Sequence, residues 1–187
     1  MNREVIWRAE GGIGEEHLTL SDRNGVIVAD GFAIAKPGET PMRVRYQIVC
    51  DADWVARGVV VTTEVAHGSP TVIELRCDGK GHWTNSNGSP LPQLDGCIDV
   101  DLSITPFTNT LPIRRLALGS GATETIHVVY INVETLKVEP REQMYTRLSD
   151  DTVRYASATT GFSADLSVDA DGLVRTYPGL WTRTWSG

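Results

Sequence analysis

Basic residues are too few and too dispersed to hold a polyanion. The chain has 187 residues and a net charge of −7, from 17 Lys+Arg against 24 Asp+Glu, with a pI near 5.0. Its densest basic points, Arg43/Arg45 and Arg114/Arg115, make no stripe, which excludes nucleic acid and disfavours anionic membranes. Long hydrophobic runs are also missing. Val26 to Ala35 is interrupted by Asp30-Gly31 and falls far short of the roughly 20 residues a membrane-spanning helix needs. The N-terminal ten residues alternate polar and apolar side chains without the apolar stretch of a secretion signal, so a cytoplasmic location is expected.

Cysteine is scarce and unpaired in pattern. Cys50, Cys77 and Cys97 are widely spaced and odd in number, which reads as reduced thiols used for packing. His17, His67, His82 and His127 lack the spacing of metal ligands, and no metal or cofactor is expected. Nucleophile and phosphate motifs are absent. Gly119-Ser120-Gly121 is too short for a G-x-S-x-G elbow. Gly11-Gly12-Ile13-Gly14 sits between two strand-like runs rather than before a helix, so it reads as a loop.

What the chain does have is alternation. Met42 to Ile48, Thr71 to Cys77, Ile98 to Ile104 and Phe162 to Val168 each place mainly apolar residues on one side and mainly polar ones on the other, the period of half-buried strands. Val59-Val60-Val61 and Val128 to Ile131 are apolar on both sides and are expected in central strands. Asp22-Arg23-Asn24-Gly25, Asp78-Gly79-Lys80-Gly81 and Asp169-Ala170-Asp171-Gly172 supply hairpin chemistry between runs. The reading is all-β: one domain over residues 1–187, an antiparallel meander of about ten to twelve strands in one curled sheet. Asn85 to Gly96, rich in Ser, Asn, Pro and Gly, reads as a long surface loop. A short helix is expected near Pro112, capped by Asn109 or Thr110, with Leu111, Ile113 and Leu116 facing inward.

Polar groups are densest from Pro90 to Leu116. Asp99 and Asp101 lie two apart on a predicted strand and share a face, so they could bind a cation or work as acid and base, although solvated positions are the simpler reading. Arg114 and Arg115 suit either a bidentate anion clamp or pairing with one of those carboxylates, and pairing is the favoured reading. Five Trp and five Tyr against three Phe suit a site that grips an apolar body and hydrogen-bonds a polar end, and equally suit a β-core.

The run Pro90-Leu91-Pro92-x-Leu94-Asp95-Gly96-Cys97-x-Asp99-Val100-Asp101-Leu102, followed by Thr105-Pro106-Phe107-Thr108-Asn109-Thr110-Leu111-Pro112-Ile113-Arg114, resembles the bacterial "putative glycolipid-binding" protein family. Supporting matches are Glu16-His17-Leu18, Ala29-Asp30-Gly31, Cys50-Asp51 with Trp54 and Arg57, Leu75-Arg76 with Asp78-Gly79, Gly81 and Trp83, and Tyr177 to Trp181. The resemblance spans nearly the whole chain. It implies a strongly curved antiparallel sheet similar to a half-open barrel, with at most one or two short helices. It also implies an amphipathic partner, a glycolipid or fatty-acyl molecule, on the concave face. The family supplies no contact residues, so these are inferred from residue type. Trp54, Trp83, Tyr130 and Trp181 are expected against the apolar body, and Arg57, Arg76, Asn109 and Arg114 on the polar head. Asp95, Asp99 and Asp101 complete the polar cluster. The alternatives are an enzyme that uses Asp95, Asp99 or Asp101 as a base beside Arg114, and a protein-interaction module with an exposed sheet edge.

Overall fold

A computed structural model describes residues 2–36, 39–66 and 68–187; His67 lies outside the described residues. Alternation is converted into strands almost without exception. They are β1 (Asn2–Ala9), β2 (Gly14–Arg23), β3 (Val26–Ala35), β4 (Met42–Cys50), β5 (Ala56–Val65), β6 (Thr71–Cys77) and β7 (Trp83–Asn85) in the first half. The second half holds β8 (Asp99–Leu102), β9 (Thr123–Ile131), β10 (Val138–Ser149), β11 (Thr152–Ser157), β12 (Ser163–Val168), β13 (Val174–Tyr177) and β14 (Trp181–Ser186). All belong to one sheet, ordered β7-β6-β5-β4-β3-β2-β1-β14-β13-β12-β11-β10-β9-β8. Every ladder is antiparallel except β8 with β9, which is parallel.

Among the described residues the sheet has 14 strands rather than ten to twelve, because β7 and β13 have only three and four residues, too few to show a period. Turn chemistry sets the registers. Asn24 and Gly25, both at positive φ, join β2 to β3 as the right-handed twist of a hairpin requires. The valine-rich β5 and β9 are interior strands, each paired on both sides.

One face of the first half is buried at every second residue: Val5 and Trp7, Leu18 and Leu20, Ala29 and Ala33, Val44 and Ile48, Val59 and Val61. What covers this face is the chain between the halves. Leu94, Cys97, Val100, Leu102, Ile104, Phe107, Leu111 and Ile113 are all buried in the same core. Asn85 to Gly96 is therefore not simply a surface loop. Pro92–Leu94 forms a 3-10 turn that drives Leu94 inward.

Strands stand about 4.8 Å apart, so a flat sheet of this size would separate β7 from β8 by about 60 Å. Instead Trp83 Nε1 donates to the Cys97 carbonyl at 2.8 Å, and Gly96 N donates to Gly81 O at 3.0 Å. The sheet thus bends around the connecting segment. No ladder joins β7 to β8 among the described residues, so it is not closed into a barrel.

The expected helix is α1 (Thr110–Leu116), with Pro112 in its first turn and Leu111 and Ile113 buried. Its expected cap is not made. A 3-10 turn (Phe107–Asn109) runs directly into the helix, and the Asn109 amide donates to Pro106 O at 3.2 Å instead.

Candidate functional site

The buried face of the second half is incompletely filled. A cavity of about 300 Å³ lies there, bounded by the end of β8, the turn before α1, β9 to β11, and the β11–β12 and β13–β14 connections. Its wall is aromatic and hydroxylated. Tyr155, Tyr177 and Phe162 form a cluster with centroids 6.2 to 6.3 Å apart, and Tyr145 stands edge-on behind Tyr155 at 5.5 Å. Trp181 and Leu180 close one side, and Tyr130 the other. Phe162 and Leu180 remain exposed.

Two charged groups enter this wall. The Asp101 carboxylate, carried by β8, accepts from Gln143 Nε2 at 2.7 Å and from Thr108 Oγ1 at 3.0 Å. Burial pushes its pKa up, while those two bonds and the nearby Arg141 hold it back. Arg141 lies over the Tyr130 ring, 3.4 Å from its centroid, and is tied to Glu139 by two bonds of 2.8 and 3.0 Å. Burial lifts the Tyr155 phenol to about 12, and lifts Tyr145 and Tyr177 too, so all three stay protonated and can donate. The Tyr145 hydroxyl donates to Asn109 Oδ1 at 3.0 Å, fixing that side chain at the cavity. This arrangement offers a ring-stacking surface, hydroxyl donors, one acceptor carboxylate and one guanidinium.

A family model described as "Putative glycolipid-binding" matches residues 4–183. The chain belongs to this family. This family was formerly designated DUF1089. The crystal structure of a DUF1089 family protein from Pseudomonas aeruginosa is similar to this chain at 36% sequence identity, with a TM-score of 0.82 over 95% of each chain. No curated protein matches the chain.

Within this family fold the predicted site residues do not gather at one place. Asp101, Asn109, Tyr130 and Trp181 line the cavity. Asp99 is not solvated. It is wholly buried, and Arg115 grips it with Nη2 to Oδ2 at 2.6 Å and Nε to Oδ1 at 3.1 Å, the expected pairing. Burial raises the Asp99 pKa and the guanidinium counters it.

Arg114 lies outside this cavity, 5.2 Å from the Trp54 ring centroid, lining a separate pocket with Arg147, Asp150 and Asp169. Trp54 itself is buried in the β4–β5 turn at a φ of 65°. Trp83 is buried with its N–H satisfied by Cys97. Arg57 and Arg76 are exposed, at 3.6 Å from Asp51 and 2.7 Å from Glu74, and Asp95 is exposed in the connecting segment.

All three cysteines are free and buried. Burial pushes the thiols of Cys50 to about 12 and Cys97 to about 11, which suits packing rather than nucleophilic attack.

Sequence reasoning missed Arg141, Tyr155, Ser157, Phe162 and Tyr177. The available signal was parity. Arg141, Gln143 and Tyr145 occupy alternate positions on one face of β10, two of them polar, where the buried face of β4 carries Met42, Val44, Tyr46, Ile48 and Cys50.

Proposed function

We propose that the protein binds the glycan headgroup of an amphipathic molecule in the second-half cavity, with the molecule's apolar part leaving across Phe162 and Leu180. The observation that carries this reading is the convergence of Tyr155, Tyr177 and Trp181 with Asp101 and Arg141 on one cavity. Aromatic faces suit the C–H face of a sugar ring, and a fixed carboxylate and guanidinium suit its hydroxyls. At about 300 Å³ the cavity lies at the small end of ligand sites, which run from roughly 300 to 1,000 Å³, so it fits a compact headgroup better than a whole lipid. The connecting segment packs against the buried face of the sheet, so in this reading the acyl part lies outside, across Phe162 and Leu180.

The test is calorimetric titration with octyl glycosides below their micellar concentrations, with octanol and the free sugars as controls. At least one octyl glycoside should bind more tightly than octanol. Trp181→Ala should weaken that glycoside by more than tenfold, and Arg114→Ala should leave it unchanged. Equal binding of octanol, or no binding across the panel, would overturn the headgroup reading.

A further inference from the structure

Glu16 is the anomaly of the first half. It sits on the inward face of β2 beside Leu18 and Leu20 and is wholly buried. Its Oε1 accepts from the Tyr46 hydroxyl and from Thr105 Oγ1, the latter at 2.8 Å, and the two hydroxyls lie 3.2 Å apart. Its Oε2 is buried and has no hydrogen-bond partner among the described residues. Tyr46 reaches this position only because Gly31 lies under it: a Cβ there would stand 2.1 Å from the Tyr46 ring.

Thr105 is the link outward. Its hydroxyl also accepts from the Phe107 N–H at 2.9 Å, at the start of the 3-10 turn, and the residue lines the second-half cavity together with Asn109. From β1 Glu16 is faced by Trp7 and from β3 by Ala33, neither of which titrates. Tyr46 is the titratable group facing it from β4, and Asp30 acts on Tyr46 in turn.

We propose that Glu16 is a proton-operated latch on the cavity: the neutral acid is tolerated in the closed packing that places Thr105 and the Phe107–Asn109 turn, and ionisation, which leaves a charged Oε2 buried without a partner, drives that corner to move so that water reaches the carboxylate. The inference rests on the headgroup reading only for its effect on ligand. Loss of the proton at Oε2 leaves a carboxylate with one oxygen bonded twice and the other against apolar neighbours, an arrangement that costs more than the neutral acid. Burial accordingly lifts the Glu16 pKa to about 7, with the Tyr46 and Thr105 bonds opposing the rise. The acid therefore changes state in the physiological range.

The experiment follows backbone amide NMR shifts of Thr105, Phe107 and Asn109 in the unliganded protein from pH 5 to 9. The wild type should show a common midpoint near 7. Glu16→Gln, which keeps the shape and cannot ionise, should remove it, and Tyr46→Phe, which deletes a bond that stabilises the carboxylate, should move it upward. His17→Gln, which removes the exposed imidazole next in sequence, should leave it unchanged. Flat shifts in the wild type, or a midpoint that survives Glu16→Gln, would overturn the latch. In a second arm, affinity for the octyl glycoside that binds should fall several-fold from pH 5.5 to 8.5 in the wild type and stay level in Glu16→Gln. A wild-type affinity that does not change with pH would overturn the coupling to ligand. Amides that titrate through Glu16 while no glycoside binds would sink the headgroup reading and leave the latch standing.

Discussion

The two halves of the sheet use the same alternation to opposite ends. In β1 to β7 the inward positions are mostly Val, Leu, Ile and Ala, with Trp7, Tyr46 and Trp83 packed among them and Glu16 and Thr63 the buried polar exceptions among the described residues, and the connecting segment packs against them. In β8 to β14 the inward positions include Gln143, Tyr145, Ser157 and Tyr177, whose polar atoms must all find partners. In the second half the packing around Tyr155, Tyr177 and Phe162 is incomplete, and the gap left there is the cavity. The first half is thus a scaffold that braces the connecting segment, and the second half is where that segment meets an open, polar wall.

The comparison can be broken most forcefully at the seam. Asp99 has no solvent contact and depends on Arg115, so Arg115→Ala should cost about 3–5 kcal/mol in urea denaturation by stranding a buried carboxylate. A loss below about 1 kcal/mol would mean that the second half tolerates unpaired buried charge, and the contrast between halves would lose its basis.

A second prediction concerns the exception in the first half. Burial lifts the Glu16 pKa from its ordinary 4.5 to about 7, so the native state holds the proton more tightly than the unfolded chain does. Its contribution to stability is fully present below about pH 4.5, declines as pH rises toward 7 and is gone above that. The size is about 3 kcal/mol across that window, at about 1.4 kcal/mol per pH unit. Chemical denaturation at several pH values checks it, and the slope should disappear in Glu16→Gln. The smallest effect belongs to the outer face. Arg76→Ala removes an exposed pair with Glu74 and should change stability by no more than about 0.5 kcal/mol and glycoside affinity not at all.

Much of this was legible in the residues because period-two alternation and Asx-Gly turns are local signals. The all-β class, the single sheet and the interior positions of β5 and β9 follow from them, and the helix follows from Pro112 in a first turn with Leu111 and Ile113 facing inward. The inserted segment does not. Ile98 to Ile104 has the alternation of a strand with one wet face, yet Asp99, Val100 and Leu102 are all buried, because this piece is wrapped by the sheet instead of lying on its surface. That wrapping comes from contacts between residues far apart in sequence, such as Trp83 with Cys97 and Tyr46 with Thr105. For the same reason tryptophans chosen by residue type divided between core and cavity. Trp54 and Trp83 went to packing positions, and Trp181 to the cavity wall. Arg141 was hidden because its role comes from lying over Tyr130 on the neighbouring strand.

The central claim is that ligand recognition belongs to the second half. Its most direct test is a two-dimensional amide NMR titration with the octyl glycoside panel. The account predicts shifts concentrated at Asp101, Asn109, Tyr130, Arg141, Ser157 and Tyr177 for the glycoside that binds, with β3 to β6 unmoved. Shifts centred on β3 to β6, or none with any glycoside, would contradict it.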